Sequence, residues 1–214
     1  MSPIPPIPPL PPVRGLVFDL YGTLVTRGAG PRAYREVINA MPPWNWLRAR
    51  RAMLTQPIAT ISEFHAHFGV RRGPRPAHYE RLVREGLDAV ELYPDSVPTL
   101  ERARERGLRL ALLSNLAAPY KRPVYDFELD ARFDAVVFSC DVGLAKPDAR
   151  IYELVCARLG LATEALVMIG DTRRDDVRGA RAAGLHALHI DRGGRGGDIH
   201  SFEQLWRHPL LREA

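Results

Sequence analysis

The chain has no apolar run near the roughly 20 residues a membrane helix requires. Its first residues also lack the charged-then-apolar order of an export signal. Neither a membrane protein nor an exported one is expected. Cysteine is scarce too: Cys140 and Cys156 are the only two, both in apolar contexts. They offer no disulfide framework and point to buried thiols in a reducing cytoplasm. Basic residues exceed acidic ones by 30 to 25, but they are scattered. No aromatic-basic ribbon or helix-turn-helix pattern accompanies the short clusters at 48–51 and 71–72, so nucleic acid is not an expected partner. Scarcest of the charged types is lysine, with only Lys121 and Lys146 among those 30 cations. An ammonium kept where nearly every other cation is a guanidinium marks a place for a compact charge, since arginine's planar fork does not substitute well.

What is present is organised around residues 13–25, VRGLVFDLYGTLV. The apolar run reads as a strand buried on both faces, as central parallel strands are. It climbs to one carboxylate, Asp19, and breaks into a Tyr21-Gly22-Thr23 turn. A carboxylate at the carboxyl end of such a strand stands where open α/β sheets place their chemistry. Gly22 permits the sharp turn, and Thr23 sets a hydroxyl beside the acid.

Residues 1–12 are proline-dense and read as an extended, disordered tail. Helical periodicity and breakers then mark helices at 31–41, 46–54, 58–69 and 76–92, a helical insert at 28–92 between the first strand and the next. A helix at 96–107 follows, with strands at 108–115, 135–142, 165–171 and 185–191 and intervening helices at 147–160 and 175–184. Strands alternating with helices imply βαβ units and a parallel sheet. The core is therefore assigned to 13–27 and 93–214. Trp44 and Trp46 are expected to pack the insert against that core rather than line a pocket mouth. The glycine-rich 193–197 has neither the Walker nor the Rossmann spacing and reads as a connection.

Polar groups recur where strands end or helices begin: Asp19, Ser114-Asn115, Lys146, and Asp171 followed by Asp175-Asp176. In a parallel sheet these ends share one edge, so the groups can converge on one crevice. The set suits a small anionic substrate. A carboxylate nucleophile attacks, Ser114 and Asn115 donate hydrogen bonds to substrate oxygens, and Lys146 neutralises developing charge. Clustered carboxylates raise one another's pKa unless a cation sits among them, and Mg²⁺ favours carboxylate oxygens, with Asp19 and Asp171 as its ligands.

The segments FDLYGTL (18–24), LLSN (112–115), AKPDARIYE (145–153) and IGDTRRDDVRGA (169–180) resemble those of the haloacid dehalogenase superfamily. The resemblance implies a Rossmann-like three-layer α/β core with strand order 5-4-1-2-3 and an inserted helical cap that selects substrates. It implies Asp19 as nucleophile, Lys146 as its orienting cation, and Ser114 as a ligand of the transferred group, beside Asn115, Tyr21, Gly22 and Thr23. Mg²⁺ would be held by Asp19, the Tyr21 carbonyl, Asp171 and Asp176, with Asp175 as an alternative. Tyr21 departs from the phosphatase pattern, which has a second Asp there as general acid and base. Tyr at that position, and Tyr152 six residues after Lys146, are similar to the 2-haloacid dehalogenases. Gly170-Asp171-Thr172, in contrast, has the phosphatase form. Mg²⁺-dependent hydrolysis of a phosphorylated metabolite through an aspartyl-phosphate is the leading expectation. The alternatives are 2-haloacid dehalogenation through an aspartyl ester, and a binding protein without turnover.

Overall fold

Five short apolar strands pair in parallel: β1 (Gly15–Phe18), β2 (Arg109–Ser114), β3 (Ala135–Phe138), β4 (Leu166–Gly170) and β5 (His186–His189). This computed structural model describes residues 12–28, 32–70 and 73–211. The proline-dense tail lies outside them apart from Pro12, as do Pro31, Arg71 and Arg72. The sheet order is β3-β2-β1-β4-β5, which is 5-4-1-2-3 read from the other edge. Strand β1 is central and wholly buried, flanked by β2 in the register Phe18–Leu112 and by β4 in the register Phe18–Ile169.

Alternate side chains of β1 serve opposite faces, as the period of two requires. Leu16 and Phe18 join one apolar cluster with Leu100 and Phe202, whereas Val17 joins a second with Ile151, Val155 and Met168. Helices cover both faces, so the architecture is the α/β, Rossmann-like one expected. The chain runs outward through β2 and β3, then returns to lay β4 on the other side of β1. The direction of winding thus reverses between β1 and β4, and such a reversal opens a crevice at the carboxyl ends of those two strands.

Between β1 and β2 lie α1 (Arg32–Asn39), α2 (Pro43–Thr55), α3 (Ile61–His67) and α4 (Pro76–Asp88), followed by α5 (Ser96–Glu105). Pro43 and Pro76 each open their helix, where a missing N–H costs nothing. The two connections between the four helices and the sheet run side by side. Thr26 N–H donates to the Glu91 carbonyl at 2.7 Å, Glu91 N–H donates to Thr26 Oγ1 at 3.0 Å, and Val25 and Leu92 form an antiparallel bridge. Trp44 does not pack as expected: it is 80% exposed. Trp46 is partly exposed, its indole N–H donating to the Met41 carbonyl at 2.9 Å.

Past β2, α6 (Arg122–Asp126) precedes β3, and residues 139–142, expected to extend that strand, instead form a helical turn, α7 (Ser139–Val142). Ser139 Oγ accepts the Leu116 N–H at 3.1 Å and so ties this turn to the loop after β2, and Gly143 at φ 70° ends it. The helix α8 (Ala149–Leu159) is capped by the Asp148 side chain and ends at Gly160 in the left-handed region, as its sequence suggests. The helix expected at 175–184 is a π-helical stretch, Arg173–Gly179, with one further α turn, Ala180–Ala182. Its first turn is diverted because the Asp176 carboxylate folds back onto the Thr172 N–H at 2.9 Å and the Tyr152 hydroxyl donates to the Asp175 carbonyl.

Arg192 fastens the turn that follows β1. Its guanidinium donates to the Thr23 carbonyl and to Asp95, each at 2.7 Å, and lies over the rings of Tyr93 and Phe202 at 4.2 and 4.3 Å. Replacement by Met leaves Asp95 without its cation in a largely enclosed place. Arg192→Met is expected to lower stability by about 3 kcal/mol, read from the midpoint of urea unfolding at constant slope.

Both cysteines are buried free thiols. No helix of the described residues is long and apolar enough to cross a membrane.

Candidate active site

The Asp19 amide continues the β1–β4 ladder by donating to the Ile169 carbonyl at 2.9 Å, which fixes the carboxylate at the sheet edge. One of its oxygens is fully engaged. Oδ1 accepts from the Lys146 ammonium at 2.8 Å and from the Ser114 hydroxyl at 3.2 Å, while among the described residues no donor reaches Oδ2. The carboxylate is thus held at one oxygen and left unengaged at the other.

Lys146 is all but inaccessible. Its three ammonium hydrogens go to Asp19 Oδ1, to Asp176 Oδ1 at 2.6 Å and to the Leu113 carbonyl at 2.9 Å. The side chain of Asn115 clasps the lysine's backbone, accepting its N–H at 2.9 Å and donating to its carbonyl at 2.8 Å. Asn115 therefore meets the cavity with its amide already committed to Lys146. Burial opposes the charge on Lys146, but Asp176 and Asp19 outweigh it and hold the ammonium above its usual range. Burial also pushes the Asp19 carboxyl up to about 7, with Asp176 and Asp171 adding to the rise and Lys146 opposing it.

Strand β4 ends in Gly170, where a side chain would meet Asp176 at 2.3 Å; the glycine lets that carboxylate fold over the strand end. Asp171 follows, and ligating oxygens of Asp19, Asp171 and Asp176 all lie within 4.8 Å of one another. Asp175 stands outside this trio. It lines the cavity, and burial raises its pKa.

Tyr21 lines the cavity, and its hydroxyl is committed to the Tyr120 carbonyl, to which it donates at 2.9 Å. Burial lifts its pKa above the ordinary tyrosine value. Its own carbonyl takes no hydrogen bond from the described residues. Gly22 has φ 78°, and a Cβ there would fall 1.9 Å from Asp171 Oδ2, so both conformation and space demand glycine. Thr23 is fully buried with its hydroxyl unpaired, and neither Gly22 nor Thr23 lines the cavity. Of the residues singled out in the sequence, Asp19, Tyr21, Ser114, Asn115, Lys146, Asp171, Asp175 and Asp176 share one cavity of about 380 Å³.

The opposite wall is apolar and comes partly from the helical segment, through Met53 and Leu54 of α2 and Val90 beyond α4. One cation there carries no mark in the sequence. Arg27 is one of many arginines and lies outside every recognisable motif, yet its Nε donates to Asp171 Oδ2 at 3.0 Å and its Nη2 to the same oxygen. Of the two arginines between Asp171 and Asp175, Arg173 donates to the Gly196 carbonyl and Arg174 lies 3.9 Å from Asp175. Lys121 pairs with Asp141 at 2.5 Å, outside the cavity lining.

A strand-end carboxylate with one unengaged oxygen, a buried ammonium beside it and a second acid just after the neighbouring strand have the chemistry that nucleophilic displacement at an anionic centre calls for. The family pattern of haloacid dehalogenase-like hydrolases matches residues 13–184, and the chain belongs to that family. It is 42% identical over 103 residues to a phosphoserine phosphatase of Thermus thermophilus, covering 48% of this chain and 41% of that protein. It is also 38% identical to a phosphatase of Mycobacterium tuberculosis over 66% of this chain and 64% of that one. The matched region thus spans less than two thirds of either relative. An (S)-2-haloacid dehalogenase of Burkholderia cepacia is 28% identical over 93% of this chain and 95% of its own. Among solved structures, a phosphatase from Thermococcus onnurineus shares the fold with a TM-score of 0.65 at 22% identity, over 91% of this chain and 97% of that one.

Proposed function

We propose that this hydrolase cleaves a small phosphorylated substrate by attack of Asp19 on phosphorus, with Mg²⁺ as cofactor and residues 28–92 as the cap that selects the substrate. The observation that carries the reading is the gathering of three carboxylates, Asp19, Asp171 and Asp176, within 4.8 Å. Lys146 and the half-exposed Arg27 set two positive charges against three carboxylates, and buried negative charge left in excess is costly. The donors are hard oxygens, which suit Mg²⁺. Asp19, Asp171, Asp176 and the free carbonyl of Tyr21 are the groups that would hold it. Bound there, Mg²⁺ supplies positive charge to the oxygens of the transferred group.

The protein's own residues do the remainder. Asp19 Oδ2 attacks phosphorus, the bond to the leaving oxygen breaks, and an aspartyl-phosphate remains. Water then attacks that phosphorus, releasing phosphate and restoring the carboxylate. Ser114 and Lys146 hold Oδ1 throughout and leave Oδ2 to react. Asn115 acts by fixing the lysine's backbone.

Tyr21 decides which substrates suit. Its hydroxyl is committed to Tyr120 and its pKa is raised, so it does not protonate a leaving alkoxide. Acyl and aryl phosphates, whose leaving groups depart as stable anions, fit this site better than alkyl esters. The same feature supports a second reading. A halide also departs without a proton, and the similarity to a 2-haloacid dehalogenase extends over nearly the whole chain.

Phosphate release from acyl, aryl and alkyl phosphates, with Mg²⁺ and with EDTA, tests the proposal. Mg²⁺-dependent turnover is expected, faster by at least about tenfold on acyl and aryl phosphates. Chloride release from 2-chloropropionate that persists in EDTA, with no phosphate released from the panel, would replace it by the second reading.

A further inference from the structure

The proposed cation site already contains a cation of the protein's own. Arg27 binds Asp171 through two N–H groups on a single oxygen, Oδ2, and its raised pKa comes first from that hydrogen bond. Asp171 Oδ1 accepts the Thr172 hydroxyl at 3.1 Å, so Oδ2 is the oxygen without another donor. Gly22 keeps the approach open: a Cβ at that position would fall 1.9 Å from Asp171 Oδ2 and 3.0 Å from Arg27 Nε. The guanidinium comes from the surface. Its side chain is 63% exposed, whereas that of Asp171 is 13% exposed, so withdrawal of Arg27 requires no rearrangement of the core.

We infer that Arg27 is a displaceable counter-ion of the cation site, holding Asp171 while the divalent ion is absent and leaving it when that ion binds. The inference rests on the reading of Asp19, Asp171 and Asp176 as the ligands of Mg²⁺. Its physical basis is competition for charge and for one oxygen. A guanidinium with two hydrogen bonds on Oδ2 directs its positive charge at the ligand group, and a divalent ion using that oxygen must repel or replace it. Arg27 then weakens Mg²⁺ binding by the free energy of its own contact with Asp171. It also keeps the ion-free cluster from standing uncompensated. Thr26, the preceding residue, is pinned to Glu91, so the backbone of Arg27 is anchored and the exchange is a swing of the side chain. A released guanidinium remains at the cavity, whose lining includes Arg27.

The test is titration of Mg²⁺ into the intact protein by calorimetry, comparing wild type with Arg27→Gln, Arg27→Lys and Lys121→Gln. Lys121→Gln removes one positive charge that does not touch Asp171, and so measures the effect of net charge alone. Arg27→Gln is expected to bind Mg²⁺ about tenfold more tightly than wild type. Arg27→Lys should fall between them, and Lys121→Gln should stay within about twofold of wild type. Mg²⁺ binding by Arg27→Gln where wild type binds too weakly to measure would support the inference equally. Equal or weaker binding by Arg27→Gln, with wild type binding measurably, overturns the inference and leaves the cation reading intact. Binding by none of the proteins overturns both. Thermal melting of each variant in EDTA verifies that it is folded before titration.

Discussion

Asp19→Asn should abolish turnover, by at least about 10⁴-fold, and yet give a more stable protein in Mg²⁺-free buffer at pH 8. The loss follows from removing the attacking oxygen: an amide cannot form the covalent intermediate. The gain follows from the raised pKa. In the unfolded chain this carboxyl titrates near about 3.9; in the folded protein burial moves it up to about 7. The folded state therefore holds the proton more tightly than the unfolded one. Stability that is complete below the lower value is lost as the pH rises through the upper one. Above pH 7 the folded protein carries the whole cost of an ionised, enclosed carboxylate, and asparagine does not. With the Lys146 contact weakened in the variant, the net gain should be on the order of 1 kcal/mol at pH 8 and should shrink towards pH 4. Urea unfolding in EDTA across that range reads it directly. A variant less stable than wild type at pH 8 would show that the Lys146 contact outweighs burial.

Lys146→Met is expected to damage both stability and rate, and to be the costlier of the two changes to stability. Among the described residues the ammonium is the sole buried cation between Asp19 and Asp176, and all three of its hydrogens are used. Methionine fills similar space but leaves two carboxylates facing each other without compensation. A loss of about 3–5 kcal/mol at neutral pH follows, together with about 10²–10³-fold in turnover from the missing positive charge. Because the orphaned carboxylates then favour protonation, the stability deficit should narrow towards acid pH, the opposite of a simple cavity defect. Lys146→Arg should not restore the wild-type level. The slot holds one compact ammonium with contacts of 2.6, 2.8 and 2.9 Å, and a planar fork does not fit that arrangement. A urea melt at pH 5 and pH 8 separates these outcomes.

Much of this arrangement was legible in the sequence because parallel strands announce themselves as short, fully apolar runs. A polar residue that interrupts such a run at its end has few places to be other than the sheet edge. That reasoning reaches Asp19, Ser114 and Asp171, and the near absence of lysine elsewhere draws the eye to Lys146. It fails where tertiary contacts overrule local pattern. The run at 135–142 is apolar enough for one long strand, but Ser139 bonds to the loop after β2 and turns the chain. The stretch at 173–179 has helical composition, but Asp176 folds onto Thr172 and widens the turn. Asn115 was legible as a polar strand end, whereas its service to the Lys146 backbone depends on a contact across 31 residues. Arg27 was not legible at all. In a chain that writes almost every cation as arginine, no single arginine carries a signal until its partner is seen.

The two walls of the cavity have separate origins in the chain. Ser114 ends β2, Asp19 and Asp171 directly follow β1 and β4, and Lys146 joins them from the loop before α8, bonded to Asp19 so that a change in one disturbs the other. Met53, Leu54, Gly86 and Val90 come from α2 and the region of α4 and hydrogen-bond to none of those groups. Mutation can therefore wander through the second wall while the first stays intact. Side chains at 53–90 can thus reshape the cavity while the hydrogen bonds among Asp19, Ser114 and Lys146 stay as they are.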